Sequence, residues 1–221
     1  MSDFLTARRN MVDCQVRPSD VTDQRIITAM LAVPRDAFVP ESKRALAYLD
    51  LDLDVSDRGN PPRCLLKPAL VARMMQAAGI KSTDSVLVVG CATGYTAALA
   101  ARIAARVTAT ESDAALAAKA ASILKGLGLG DIAVVEAAAG AGAPDTAPYD
   151  VILMEGASEI IPEQLYRQLA ENGRLVGISA IGRPQRAMIV TRSYDDFGDR
   201  PLFDASAPVL PGLERPAEFV F

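Results

Sequence analysis

Three places in this chain carry residues suited to chemistry. The first is the bend Gly90-Cys91-Ala92-Thr93-Gly94-Tyr95. It follows Val86-Leu87-Val88-Val89, a short unbroken apolar run of the kind a strand buried on both faces shows. A glycine bend between a buried strand and a helix gathers backbone N–H groups and a positive helix end at one point, a place for a nucleoside-type ligand. The second is Glu111, about 20 residues after Gly90 and at the end of the next strand, where an acid can accept hydrogen bonds from ribose hydroxyls. The third is Glu155, which ends the run Tyr149 to Met154 and is the one obvious base should a reaction need one.

Each place has a plainer reading. The bend has alanine at 92 where a dinucleotide fingerprint has its middle glycine, so its glycines can serve close packing alone. Glu111 can be a surface charge. Glu155 can be a solvated strand-end acid or a partner for Arg183 or Arg186. Tyr95 is assigned to the wall of the ligand pocket, Lys67 to a solvated helix start, and Met30, Met74 and Met75 to the core.

What is missing narrows the chemistry. The chain has no histidine, which removes Ser-His-Asp and Cys-His nucleophiles and His-based zinc sites. Cys14, Cys64 and Cys91 share no close spacing and read as reduced packing residues, with Cys91 inside the bend and able to touch a ligand. No metal is expected. The net charge of −4 gives no basic footprint for nucleic acid. Met1-Ser2-Asp3-Phe4 lacks the basic start and apolar stretch of a signal peptide, and no apolar run approaches the roughly 18 residues of a membrane helix. A cytoplasmic protein with no membrane partner, monomeric by default, is expected.

The elements that position these residues follow from periodicity. A short helix ends near Arg8 to Met11, and Thr22 caps a second over Asp23 to Val33, with Ile26, Ile27, Met30 and Leu31 on one face. Asp50 to Asp54 alternates acid and aliphatic residues, as an edge strand or loop does, and Ser56 to Arg63 is a polar loop near the site. Lys67 to Ala78 is a helix closed by Gly79. The bend leads into a helix over Tyr95 to Ala105 and a strand from Val107 to Glu111. Ser112 caps a helix reaching about Lys125; strands follow at Ile132 to Val135, Tyr149 to Met154, Arg174 to Ile178 and Ala187 to Arg192, with a helix from Pro162 to Leu169. Ser193 to Asp199 is a polar turn, and the rest is an extended tail packed by its aromatics. Strands alternating with helices imply a doubly wound α/β sheet whose ligands bind beyond the carboxyl ends of the strands. Three units result: an N-terminal helical and loop extension over residues 1–64, the α/β domain over 65–195, and a tail over 196–221.

More specific strings accompany this pattern: Ala29-Met30 with Val33 to Pro40 (VPRDAFVP), Ala47-Tyr48 with Asp50, Pro68 with Val71 to Met74, Gly90 to Tyr95, Ala147 to Ile152 (APYDVI), Ile161-Pro162 with Leu165, and Gln168-Leu169 with Gly173 to Val176. In these the chain resembles the protein-L-isoaspartate O-methyltransferases, which use S-adenosylmethionine to methylate damaged aspartyl residues. The resemblance implies a doubly wound, mostly parallel, seven-stranded Rossmann-like methyltransferase sheet with an N-terminal helical extension, in which Ser193 to Asp199 is compatible with a hairpin. It implies S-adenosylmethionine as cofactor, held by Gly90, Cys91, Thr93, Gly94, Tyr95 and Glu111, with Glu155 as the candidate catalytic residue. The implied substrate is a protein or peptide carrying isoaspartyl residues, in a repair reaction. Methyl transfer to a carboxylate asks for alignment and exclusion of water rather than a base.

Departures from the family pattern sit where the chemistry should be. Leu66 aligns with an active-site hydroxyl, Val88 with an acid of the first strand, and Ala137-Ala138-Ala139 with a Gly-Asp-Gly. Glu155 replaces a small neutral residue or hydroxyl, and its charge would repel a carboxylate acceptor unless protonated or paired. Two alternatives therefore stand beside the carboxyl methyltransferase. One is a relative without turnover that binds a ligand or a protein; the other is a methyltransferase for a different acceptor.

Overall fold

The computed structural model describes residues 3–56 and 62–216. In the N-terminal layer, Asp3 caps helix α1 (Phe4–Met11), its carboxylate accepting from the backbone N–H of Leu5 and Thr6 at 3.1 and 3.3 Å. The chain continues through a π-turn, Val12–Val16, and a 3₁₀ turn, Arg17–Ser19. Asp23, rather than Thr22, caps α2 (Gln24–Ala32). The two-residue strands β1 (Leu53–Asp54) and β2 (Cys64–Leu65) pair antiparallel. The polar loop expected between them falls, at 57–61, outside the described residues.

The α/β part opens with α3 (Pro68–Ala78), which begins on proline and is closed by Gly79 at φ +56°. Its Leu70, Val71, Met74 and Met75 are buried. Strand β3 (Ser85–Val89) has Val86 to Val89 wholly buried in the interior of the sheet, as a run without a polar face must be. Then come α4 (Tyr95–Ala100), β4 (Arg106–Glu111), α5 (Ala114–Gly126), β5 (Ala133–Glu136), β6 (Tyr149–Ser158), α6 (Glu163–Tyr166), β7 (Leu169–Ser179), β8 (Arg186–Ser193) and β9 (Asp196–Asp204). Helix α4 stops well before Ala105 because the N–H groups of Ala105 and Arg106 turn to the Asp84 carbonyl, which starts β4 beside β3. The cap of α5 is Asp113 rather than Ser112.

The seven large strands form one sheet in the order β5-β4-β3-β6-β7-β8-β9. β5 through β7 run parallel, while β8 is antiparallel to both its neighbours. Tyr194 and Asp195 make the turn of an antiparallel β8–β9 hairpin, as Ser193 to Asp199 allowed, but Asp196–Asp204 is a strand of this sheet rather than turn or tail; its charged, exposed side chains conceal a strand at the sheet edge. Chain order reverses between β3 and β6, so the switch point lies there. The face carrying α3, α4 and α5 buries a large core shared with the N-terminal layer. The opposite face is thinner. Leu87, Val89, Tyr149, Ile152 and Met154 are covered there by Leu165 and by two residues of the C-terminal segment, Leu210 and Leu213.

Candidate functional site at the switch point

Glu111 ends β4 and is wholly buried. Burial opposes its ionisation, but the Arg63 guanidinium and the N–H groups of Ala92 and Asp113 outweigh burial and hold its pKa below the usual carboxylate range. Arg63 meets it in a bidentate pair, Nε to Oε1 at 3.0 Å and Nη2 to Oε2 at 2.9 Å. The N–H of Ala92 donates to Oε2 at 2.7 Å, and those of Ser112 and Asp113 donate to Oε1 at 2.8 and 3.2 Å. These bonds use the acceptor capacity of a carboxylate. A ribose can reach Glu111 only in exchange for Arg63.

Arg63 directly precedes β2 and is fixed by that hairpin, its carbonyl accepting from Val55 N–H at 2.8 Å. It also donates from Nη2 to the Gly90 carbonyl at 3.0 Å. The guanidinium therefore lies across the bend at the carboxyl end of β3. Gly90 (φ +70°) is needed for this approach, since a Cβ there would fall 2.8 Å from Arg63 Nη2 and 2.7 Å from Leu210 Cδ2.

Leu210 comes from the C-terminal segment, residues 205–216. Strand β3 stops at its Val89–Met154 pairing, while β6 runs on to Ser158. The freed edge of β6 is taken by the C-terminal segment, with a parallel bridge from Ala157 to Val209. Ala157 N–H donates to the Pro208 carbonyl at 2.8 Å and Leu210 N–H to the Ala157 carbonyl at 2.9 Å. Gly156 admits the segment, because a Cβ there would fall 2.7 Å from Leu210 Cδ2 and 3.0 Å from the Pro208 carbonyl oxygen. Leu213 follows, fully buried, against Gly140 and the small-residue loop after β5. Of the aromatics expected to pack the tail, Phe197 meets Tyr166 and Phe203 lies under the Arg73 guanidinium, both within β9. Beyond β9 the packing is by Leu210 and Leu213, and residues 219 and 221 lie outside the described residues.

The other predicted residues separate. Gly90, Cys91 and Gly94 form the bend, with Gly94 at φ +96° close against Ala120 and Leu124 of α5. The Cys91 thiol is buried and its pKa is pushed upward by burial. Thr93 turns its hydroxyl into the core, donating to the Phe38 carbonyl at 2.6 Å. Tyr95, expected in the pocket wall, is fully buried edge-on to Phe38 and under the Arg35 guanidinium, 4.8 Å from the ring centroid. Burial raises its hydroxyl to about 12. Both side chains belong to the seam between α4 and the N-terminal layer, because the VPRDAFVP segment supplies their apolar and cationic partners.

Glu155 is not solvated and does not pair with Arg186, whose partner is Asp204 at 3.0 Å. It is buried, and burial lifts its carboxyl to about 7, with Arg35 and Arg63 among the groups opposing the rise. Leu66, where the family pattern has a hydroxyl, is buried with its carbonyl accepting from Arg35 Nη2 at 2.9 Å. Sequence reasoning missed Arg63, Leu210 and Gly156. A buried acid at a strand end demands a cation, which is the one signal that pointed towards Arg63.

A cofactor placed over this bend, with its sugar at Glu111, would need the volume held by Leu210 and Arg63. S-adenosylmethionine does not fit the site in this conformation. A cleft of about 250 Å³ lies instead over β7 and β8, lined mainly by apolar residues such as Ile160, Tyr166, Leu175 and Phe197. Among the described residues no cluster of His, Cys, Asp or Glu could hold a metal ion, and no helix is long and apolar enough to cross a membrane.

This strand order, with a glycine bend after the central strand and an acid after the next, defines a Rossmann-like methyltransferase fold with an N-terminal helical addition. Residues 7–199 match the protein-L-isoaspartate(D-aspartate) O-methyltransferase family, and the chain belongs to it. The protein-L-isoaspartate O-methyltransferase of Roseiflexus sp. (strain RS-1) is 39% identical over 194 residues, covering 88% of this chain and 86% of that protein. Protein-L-isoaspartate O-methyltransferase 1 of Rhodopseudomonas palustris (strain HaA2) is 38% identical over 213 residues, covering 96% and 85%. A solved protein-L-isoaspartate O-methyltransferase superposes with a TM-score of 0.84 at 25% identity, covering 94% of this chain and 67% of that one. A Plasmodium falciparum structure described as a protein-L-isoaspartate O-methyltransferase in complex with S-adenosyl-L-homocysteine shares the fold, with a TM-score of 0.77 at 18% identity over 95% of this chain and 99% of that one.

Proposed function

We propose that this protein is an S-adenosylmethionine-dependent O-methyltransferase that esterifies isoaspartyl carboxylates in damaged proteins or peptides. The observation that carries the reading is family membership across residues 7–199, which includes the bend, Glu111 and the strand ends around the switch point. Glu155 is assigned to the acceptor side of the site. A carboxyl that titrates near 7 is partly neutral at physiological pH, so it opposes a carboxylate acceptor less than a fully ionised glutamate would. A cytoplasmic setting is favoured by three free cysteines, which suit a reducing compartment.

The test is transfer of a tritiated methyl group from S-adenosylmethionine to an isoaspartyl peptide, with the matching aspartyl peptide as control. The reading expects base-labile label in the isoaspartyl peptide alone. Label that resists base would point to another acceptor. No label from the full chain, nor from a variant with the C-terminal segment loosened, would refute the reading.

A further inference from the structure

We infer that residues 205–216 act as an intramolecular strap that competes with the nucleoside ligand for the switch-point crevice. The inference rests on the cofactor reading above and assigns its regulation. In an open α/β sheet the crevice beyond the carboxyl ends, where strand order reverses, is the place ligands enter. Here that place lies beside β6 just past the end of β3, and the strap occupies it. Val209 bridges to Ala157, Leu210 lies between Gly90 and Gly156, and Leu213 reaches the loop after β5. Arg63 completes the occlusion by consuming Glu111.

The strap is held at its two ends and at Ala157. Its main-chain bonds to the rest of the chain are the two at Ala157, one from Glu159 N–H to the Leu213 carbonyl at 2.9 Å and one from Ala205 N–H to the Gln185 carbonyl at 3.3 Å. Ala207 N–H donates to Gln185 Oε1 at 3.1 Å, Arg215 N–H to Glu159 Oε2 at 2.8 Å and Arg215 Nη2 to the Ile181 carbonyl at 3.1 Å. Pro208 and Pro211 have no N–H to extend the pairing. These bonds and three buried side chains, Ala207, Leu210 and Leu213, must offset the ordering of a dozen residues, so a ligand with affinity for the crevice competes with the strap. Apparent affinity is then the intrinsic affinity reduced by the fraction of molecules with the strap released.

The experiment uses the full chain and S-adenosylhomocysteine as probe. Calorimetry compares wild type with Leu210→Asp, and with the milder Leu210→Ala should the first fail to fold by circular dichroism. Amide hydrogen exchange follows Ala157, Glu159 and Leu210 in wild type with and without the probe. The inference expects at least tenfold tighter binding in the variant, and loss of protection at these three amides as the wild type is saturated. Binding that is equal in wild type and variant, with the amides still protected, would overturn the strap while leaving the cofactor reading intact. No binding to either folded protein would overturn both.

Discussion

Replacing Arg63 by methionine tests the electrostatic centre of the site. Both members of the Arg63–Glu111 pair are buried, with side chains 6% and 0% exposed, so water cannot take over for the missing cation. Removing one partner of such a pair costs about 3–5 kcal/mol. Glu111 keeps the N–H donors of Ala92, Ser112 and Asp113, which places the expected loss near the lower end, about 3 kcal/mol. For a chain of this size that corresponds to a melting temperature lower by roughly 6–12 °C. The pH dependence follows from the depressed pKa of Glu111. Between the folded and unfolded pKa values the unfolded state binds more protons, so stability from this group is present above the ordinary carboxylate pKa and is lost as pH falls through the depressed one. Arg63→Met abolishes that depression, so the gap to wild type should be widest near neutrality and should close on acidification. Urea denaturation at a series of pH values measures it. The double variant Arg63→Met/Glu111→Gln should recover most of the loss, since neither charge then remains buried. A single-variant loss under about 1 kcal/mol at neutral pH, or a gap that widens in acid, would refute the reasoning.

Three further outcomes are expected. Gly156→Ala should cost about 1–3 kcal/mol by forcing a Cβ against Leu210 and the Pro208 carbonyl, and amide exchange should show Leu210 losing protection; a neutral effect would mean the segment yields freely. Glu155→Gln should stabilise the protein by up to about 3 kcal/mol above pH 7, because wild type must ionise a carboxyl whose folded pKa is raised to about 7. The folded state holds the extra proton, so wild-type stability falls as pH rises from the unfolded value towards 7, and the benefit should vanish near pH 4; urea midpoints at both ends decide it, and a benefit independent of pH would contradict it. Cys14, which is exposed, should alkylate with iodoacetamide long before the buried Cys91; equal rates by peptide mass spectrometry would show that the bend opens readily.

Much of the fold is legible because its signals are local. The run Val86 to Val89 has no polar face, so it can only be a central strand, and Gly79, Gly90 and Gly94 all adopt the positive φ that makes them punctuation. Caps are less secure: Thr22 stands beside Asp23 and Ser112 beside Asp113, and in both cases the aspartate takes the role. The strand Asp196–Asp204 hides because edge residues such as Asp199 and Arg200 face solvent and leave no apolar alternation. The site was half legible. Glu111 and the bend are marked by spacing, but their partners come from distant segments. Arg63 is 48 residues from Glu111, and Leu210 reaches Gly90 only because β6 outruns β3. A tail of prolines and leucines carries no local sign of where it will pack. The inward turn of the Thr93 and Tyr95 side chains is hidden in the sequence for a related reason: it depends on the N-terminal layer, which folds over α4 and supplies Phe38.

The most direct measurement is a crystal structure of the full chain grown with S-adenosylhomocysteine. The account predicts adenosine over the Gly90–Gly94 bend, its ribose hydroxyls on Glu111 in place of Arg63, and Leu210 withdrawn from between Gly90 and Gly156. Adenosine bound elsewhere, or bound there with Leu210 and Arg63 unmoved, would contradict it.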